Sequence, residues 1–190
     1  KEILRESGRE GKSIGVEYDS YGLTAKNGKM LDSVLDGFCN LTDASDLVNR
    51  LRVVKSQKEL VYVRKAAELA DDALDEAHRL VRDGCDEGEL LAAMQGAVFR
   101  GGGDYPGNEF IIGSGENALL CRYYSGRRKL SSEDQITLEW AGAYRHYHAA
   151  MMRTIPVGRV TDQHQRMFDV CLESIEACQK ALRPGNKIGE

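Results

Sequence analysis

The sequence predicts an α+β chain, and three observations carry that prediction. Near the start, strand-like residues 13–18 and 38–41 flank a helix-like stretch, as in an α/β unit. In the middle, apolar residues recur every three and four positions over long stretches with a polar side, the pattern of amphipathic helices. Towards the end, residues 138–154 read as two strands folded on a glycine-containing turn. Their charged and imidazole side chains stand where a buried strand would prefer Val or Ile.

Residues 13–18 (Ser-Ile-Gly-Val-Glu-Tyr) have strand character, and a short helix is expected over 23–35, interrupted at Asn27-Gly28. Thr42-Asp43-Ala44-Ser45 provides polar side chains to cap the next short helix. Ser56 and Glu59 have capping-box spacing, in which each side chain satisfies a backbone donor of the other. The helix they introduce carries Leu60, Val63, Ala67, Ala70, Leu74, Ala77 and Val81 on one side and ends at Asp83-Gly84. Asp86 and Glu89 form a second such pair for a helix to about Phe99, which Gly101-Gly102-Gly103 breaks. Residues 109–113 and 135–140 are expected to be strands. A last helix over 162–182 puts Met167, Val170, Cys171, Ile175, Cys178 and Leu182 on one face.

Composition excludes several classes. Twenty-six basic residues against thirty acidic ones give a net charge of −4 without charged runs, which speaks against nucleic acid as a partner. Apolar runs are only a few residues long, too short to cross a bilayer, and no segment reads as a signal peptide. The five cysteines are odd in number, widely spaced and without a Cys-x-x-Cys pair, so neither a disulfide framework nor a zinc knuckle is expected. Cys171 and Cys178 are expected as small core residues, and a cytoplasmic protein fits best. Both ends read as interior to a longer protein, opening on Lys1 and closing on a helix stop followed by the start of another element.

Several weaker motifs have bland readings. Gly113-Ser-Gly-Glu-Asn-Ala118 fits a dinucleotide fingerprint, but residues 119–129 would make a poor amphipathic helix, so a plain glycine turn is expected. His146 and His148 share a face if both lie on a strand, a spacing that suits a metal, yet two ligands do not make a site. His78 and His164 are expected at helix surfaces or edges. Cys121 lies beside Arg122 without an assignable base, and Arg127-Arg128-Lys129 reads as a solvated turn.

Taken in order, certain segments resemble the creatinase/aminopeptidase ("pita-bread") superfamily, peptidase family M24, which includes Xaa-Pro dipeptidases, creatinase and ectoine hydrolase. They are Ile14-Gly-Val-Glu17, Leu51-Arg52 with Lys55-Ser56-x-x-Glu59 and Arg64-x-Ala66, Ser114-Gly-Glu-Asn-Ala118, and the 139–154 hairpin closed by Arg153-Thr154 and followed by Val157-Gly158. The resemblance implies that residues 1–54 are the end of a creatinase-type N-terminal α/β domain. Residues 55–190 would be the first part of the pita-bread catalytic domain, truncated at the C-terminus. It also implies a homodimer.

The departures from the family pattern bear on chemistry. Metal-dependent members carry an Asp in the first hairpin strand and another eleven residues on; the aligned residues here are Glu139 and Ala150. Met152 replaces a threonine, and the family histidine that comes after Ser-Gly-x-Asn-Ala aligns with Arg122, a permanent cation. A paired-metal site is therefore not expected, and the chain resembles a metal-ligand-depleted branch. The likeness to ectoine hydrolase is stronger around residues 102–106 and 139–148.

The expected activity is metal-independent hydrolysis of a C–N bond in a small amide or amidine. Glu139 and His148, with a carboxylate from beyond residue 190, would position a water and move its proton. Arg122 would hold a substrate carboxylate through its planar fork, with Tyr105, Tyr123 and Tyr147 lining the pocket. Two alternatives stay open: an Xaa-Pro dipeptidase or aminopeptidase that keeps a divalent metal (Mn, Co, Fe or Zn), and an inactive pita-bread binding module.

Overall fold

A computed structural model of the 190-residue chain describes residues 1–119 and 128–187. The chain divides into two compact units, Lys1–Gln57 and Lys58–Glu190. In the first, a short helix α1 (Glu2–Glu6) precedes strand β1 (Ser13–Val16), helix α2 (Ala25–Leu35), strand β2 (Asn40–Asp43) and helix α3 (Leu47–Val53). Strands β1 and β2 pair in parallel, Ser13 with Asn40 through Val16 with Asp43, across the α2 connection. This is the expected α/β unit, with β2 two residues later than the apolar run alone indicates.

Helix α2 is continuous through Asn27-Gly28, because the Thr24 hydroxyl accepts from the Asn27 N–H and caps its first turn. The polar run 42–45 divides its work differently from expectation. Asp43 closes β2 and accepts from the Ser45 N–H and hydroxyl, while Asp46 stands at the N-cap of α3.

The second unit packs two helices on one face of an antiparallel sheet. Helix α4 (Gln57–Leu80) begins directly after Ser56, and α5 (Glu87–Arg100) is capped by the Asp86 carboxylate, which accepts from the Gly88 N–H. Strand β3 (Ile111–Ser114) leads into a 3₁₀ turn (Gly115–Leu119), so the glycine motif itself forms a turn and does not open an α-helix. Strands β4 (Gln135–Tyr144) and β5 (Tyr147–Pro156) form the hairpin, and the sheet order is β3-β4-β5. Helix α6 (Asp162–Ala181) closes the described part of the unit, opening on a capping box between Thr161 and His164.

Alternation along β4 decides which face is sealed. Ile136, Leu138 and Trp140 point to the helices and join Leu69, Ala70, Ala73, Ala77, Leu90, Met94, Val98 and Ile112 in one core. The buried line of α4 is centred on Ala66, Leu69, Ala70, Ala73 and Ala77, one residue round from the predicted stripe. The alanines let the helix axis approach the sheet closely. A Cβ on Gly142 would lie 2.0 Å from the Ala66 carbonyl oxygen and 2.6 Å from the Ala70 nitrogen, so that contact requires glycine. The Trp140 indole N–H donates to the Ala70 carbonyl at 3.0 Å, which satisfies the ring's one polar group inside the core.

Gly142 is thus a strand residue, and the hairpin turn contains no glycine. Tyr144 pairs with Tyr147, leaving Arg145 and His146 as a two-residue loop with φ of 51° and 65°. Positive φ at both central residues defines a type I′ turn, whose twist suits a hairpin but which glycine and asparagine adopt at lower cost. Asp104 offsets that cost, its carboxylate accepting from the His146 N–H at 3.0 Å.

Candidate functional site

The second face of the sheet is the one helices α4 and α5 do not cover. Residues directly opposite in an antiparallel pair share a face, so the register places Ile111, Glu139 and Met152 together, then Ala141 with Ala150 and Ala143 with His148. Glu139 and Ala150 therefore stand diagonally across the β4–β5 ladder, and His148 lies one pair beyond. The expected grouping of His148, Ala150 and Met152 on one face is what the structure has.

Glu139 is half-buried, and no side chain among the described residues pairs with its carboxylate. The ion pairs to Arg145 and Arg153 that would give it a purely structural role are not formed. Arg153 is in register with Leu138, on the opposite face, and donates to the Met152 carbonyl; Arg145 is in the turn.

His148 is differently placed. Its Nε2 accepts from the Gly107 N–H at 2.9 Å, and its Nδ1 lies 2.9 Å from the His146 carbonyl. Each ring nitrogen already has a hydrogen bond, so the proton shuttle expected of His148 has no nitrogen facing the cleft unoccupied. His146 is not its partner on a strand, because it occupies the turn; the predicted His-x-His face does not exist.

The tyrosines separate. Tyr147 belongs to the helix-covered face, where its hydroxyl donates to Glu59 at 2.9 Å and its ring lies 5.7 Å from that of Tyr62. Strand alternation itself excludes it from the face of His148. Tyr105 is exposed and stacks on Phe99 of α5 with ring centroids 4.9 Å apart. Arg122 and Tyr123, with Cys121 and Arg127, lie outside the described residues.

A cluster that sequence reasoning missed anchors the other end of the sheet. Glu87, fully buried at the first position of α5, accepts from the Ser114 N–H at 3.0 Å and hydroxyl at 2.6 Å. Arg128 donates to Ser114 Oγ and grips Asp134 with both terminal nitrogens, at 2.6 and 3.1 Å. The guanidinium beside Asp134 holds that carboxyl below the usual carboxylate range. Arg128 is therefore a half-buried clamp and not part of a solvated turn. The one available signal was Glu87 next to a capping Asp86, which reads equally well as an exposed first-turn acid.

Cysteine placement also differs. Cys85 is buried, which pushes its thiol pKa up, whereas Cys171 and Cys178 are exposed because no described residue covers the apolar side of α6.

Among the described residues, the donors on the open face do not fit a pair of divalent ions. Glu139 supplies one carboxylate, Ala150 a methyl group, and the neighbours Ala141, Ala143 and Met152 no oxygen. Two bridged ions need several anionic oxygens.

Metallopeptidase family M24 matches residues 61–190, and the chain belongs to that family. The ectoine hydrolase of Halomonas elongata is 28% identical over 199 residues, spanning 99% of this chain and 49% of that protein. The Xaa-Pro aminopeptidase of Escherichia coli is 30% identical over 151 residues, spanning 79% of this chain and 34% of that protein. The crystal structure of the Pyrococcus horikoshii prolidase matches at a TM-score of 0.83 and 25% identity, covering 97% of this chain and 52% of that one. The fold is accordingly the α+β, pita-bread type expected. The chain spans less than half the length of either of these two sequence relatives. No helix among the described residues is long and apolar enough to cross a membrane.

Proposed function

We propose that the protein hydrolyses a C–N bond in a small amide or amidine without a paired-metal centre. Glu139 would be the carboxylate that orients the attacking water and takes its proton. One observation carries this reading: Glu139 stands half-buried and unpaired among the described residues, diagonal to an alanine where a second ligand would be needed. The likeness to the Halomonas ectoine hydrolase across nearly the whole chain supports a cyclic amidine as the first substrate class to try. In this reading Arg122 pairs with a substrate carboxylate. Residues 1–54 serve as the end of an N-terminal α/β domain and 55–190 as the first part of the catalytic domain. The active protein is taken as a cytoplasmic homodimer.

Names of other relatives favour a second reading, an Xaa-Pro peptidase that keeps a metal through Glu139 and further ligands. Metal analysis of the purified protein, with turnover of ectoine and of an Xaa-Pro dipeptide before and after EDTA, separates the two. Chelator-insensitive amidine hydrolysis that falls by roughly 10²–10⁴ in Glu139→Gln is the expected result. Stoichiometric metal with EDTA-sensitive dipeptide cleavage would overturn it.

A further inference from the structure

Between α5 and β3 the chain runs through the glycine-rich loop 101–110, and this loop is fastened to the hairpin at successive points. The Asp104 N–H donates to the Ala143 carbonyl at 2.8 Å, and the Asp104 carboxylate receives the His146 N–H. Gly103 packs so tightly that a Cβ there would lie 2.9 Å from the Ala143 carbonyl oxygen. The last fastening is the Gly107 N–H on His148 Nε2, the point at which the loop meets the face that carries Glu139.

A backbone N–H can only donate, so Nε2 must hold a lone pair. The ring proton then belongs on Nδ1, where the His146 carbonyl is 2.9 Å away and can only accept. The two bonds together specify one neutral tautomer, and a doubly protonated ring would set two donors against each other at Gly107.

We propose that His148 is a positioning residue, held as the neutral Nδ1–H tautomer by the His146 carbonyl, whose Nε2 pins Gly107 of the α5–β3 loop beside the face of Glu139. This deepens the hydrolase reading, on which its link to turnover rests; the tautomer and the pin do not depend on it. The loop then forms a fixed wall at one end of the open face, so that a bound substrate meets Glu139 in one orientation.

The substitution that separates positioning from proton transfer is His148→Gln. A glutamine carbonyl reaches about as far along the side chain as Nε2 and accepts a hydrogen bond, but it does not exchange protons as imidazole does. His148→Ala removes the acceptor. Nitrogen-resolved NMR of the ¹⁵N-labelled full chain should show the neutral Nδ1–H tautomer for His148. The Gly107 amide should exchange with solvent about tenfold faster in His148→Ala, the equivalent of one ordinary hydrogen bond, and regain its protection in His148→Gln. An Nε2–H tautomer, or equal Gly107 exchange in the wild type and His148→Ala, would overturn the proposal.

In turnover of the cyclic amidine, the glutamine variant should keep most of the rate that the alanine variant loses. Equal losses of roughly 10²–10⁴ in both would instead make His148 the proton shuttle. A chain with the expected tautomer and exchange pattern that hydrolyses neither the amidine nor the dipeptide would sink the hydrolase reading and leave the pin standing.

Discussion

The two faces of the β3-β4-β5 sheet are built from alternate residues of the same strands, and they obey opposite rules. On the helix side, Leu138, Trp140 and Gly142 are specified by volume, to the point that one methyl group at residue 142 would enter the α4 backbone. On the other side, Glu139, Ala141, Ala150 and His148 share the face that α4 and α5 leave uncovered, where the proposed chemistry falls. A strand that folds by one face and, in the proposed reading, acts by the other would have a sequence that looks wrong for a core strand, as this one does. The pleat keeps the two faces apart with a two-residue period.

The largest break in this contrast should come from Gly142→Ala. The new Cβ meets backbone atoms that cannot turn aside, so a loss of about 3 kcal/mol or more is expected, read as a collapsed urea midpoint. Trp140→Ala should have a comparable effect of roughly 3–5 kcal/mol, because it removes the largest side chain of the core and its hydrogen bond to the Ala70 carbonyl. If either were tolerated like a surface change, the sealed face would not be what holds the unit together.

Asp134→Asn should cost about 2 kcal/mol near neutral pH by weakening the Arg128 clamp. The sign with pH comes from the depressed carboxyl. Its contribution is complete above the ordinary carboxylate pKa of about 3.9 and is lost as pH falls through the lower folded-state value. The wild type should therefore lose stability more steeply than the variant in acid titrations monitored by circular dichroism below about pH 4.

On the open face the same size of change should do little to folding. Ala150→Asp sets a second carboxylate diagonal to Glu139, and a shift within about 0.5 kcal/mol is expected. Calorimetry with Mn²⁺ should show tighter binding than to the wild type, since the face then offers two anionic groups instead of one. Unchanged Mn²⁺ affinity would mean that the diagonal pair is too far apart to share an ion. The smallest effect concerns thiols. Cys171 and Cys178 should label with maleimide well before Cys85, whose burial disfavours the thiolate.

Much of the architecture is legible in the sequence because it is periodic. The spacing of apolar residues locates α4 and α6, the capping residues and the glycine run locate α5, and alternation correctly puts His148, Ala150 and Met152 on one face. The features that escape the sequence depend on residues far apart in the chain. Gly142 reads as a turn residue because nothing local reveals that the Ala66 carbonyl lies over it. The turn at Arg145-His146 has no local signature, since its support comes from Asp104. Glu87 and Arg128 look like solvated charges until the fold brings Ser114 and Asp134 between them. Expecting Tyr147 in the pocket runs against the very alternation that locates His148. The exposed thiols of α6 show that an apolar stripe states what a helix can bury, without stating that a partner lies on it.

The turn at Arg145-His146 has a consequence for the order in which the unit folds. A hairpin closed by asparagine and glycine can nucleate by itself, because its loop is already disposed to bend. Here the bend is made by two residues that resist it, and the group that offsets their resistance is 42 positions away along the chain. Strands β4 and β5 are neighbours in sequence, yet their pairing should wait for α5 and its loop to arrive. Residue 104 would then govern the rate of folding more than its single hydrogen bond suggests. Replacing Arg145-His146 by Asn-Gly should speed refolding and make that rate indifferent to Asp104→Ala.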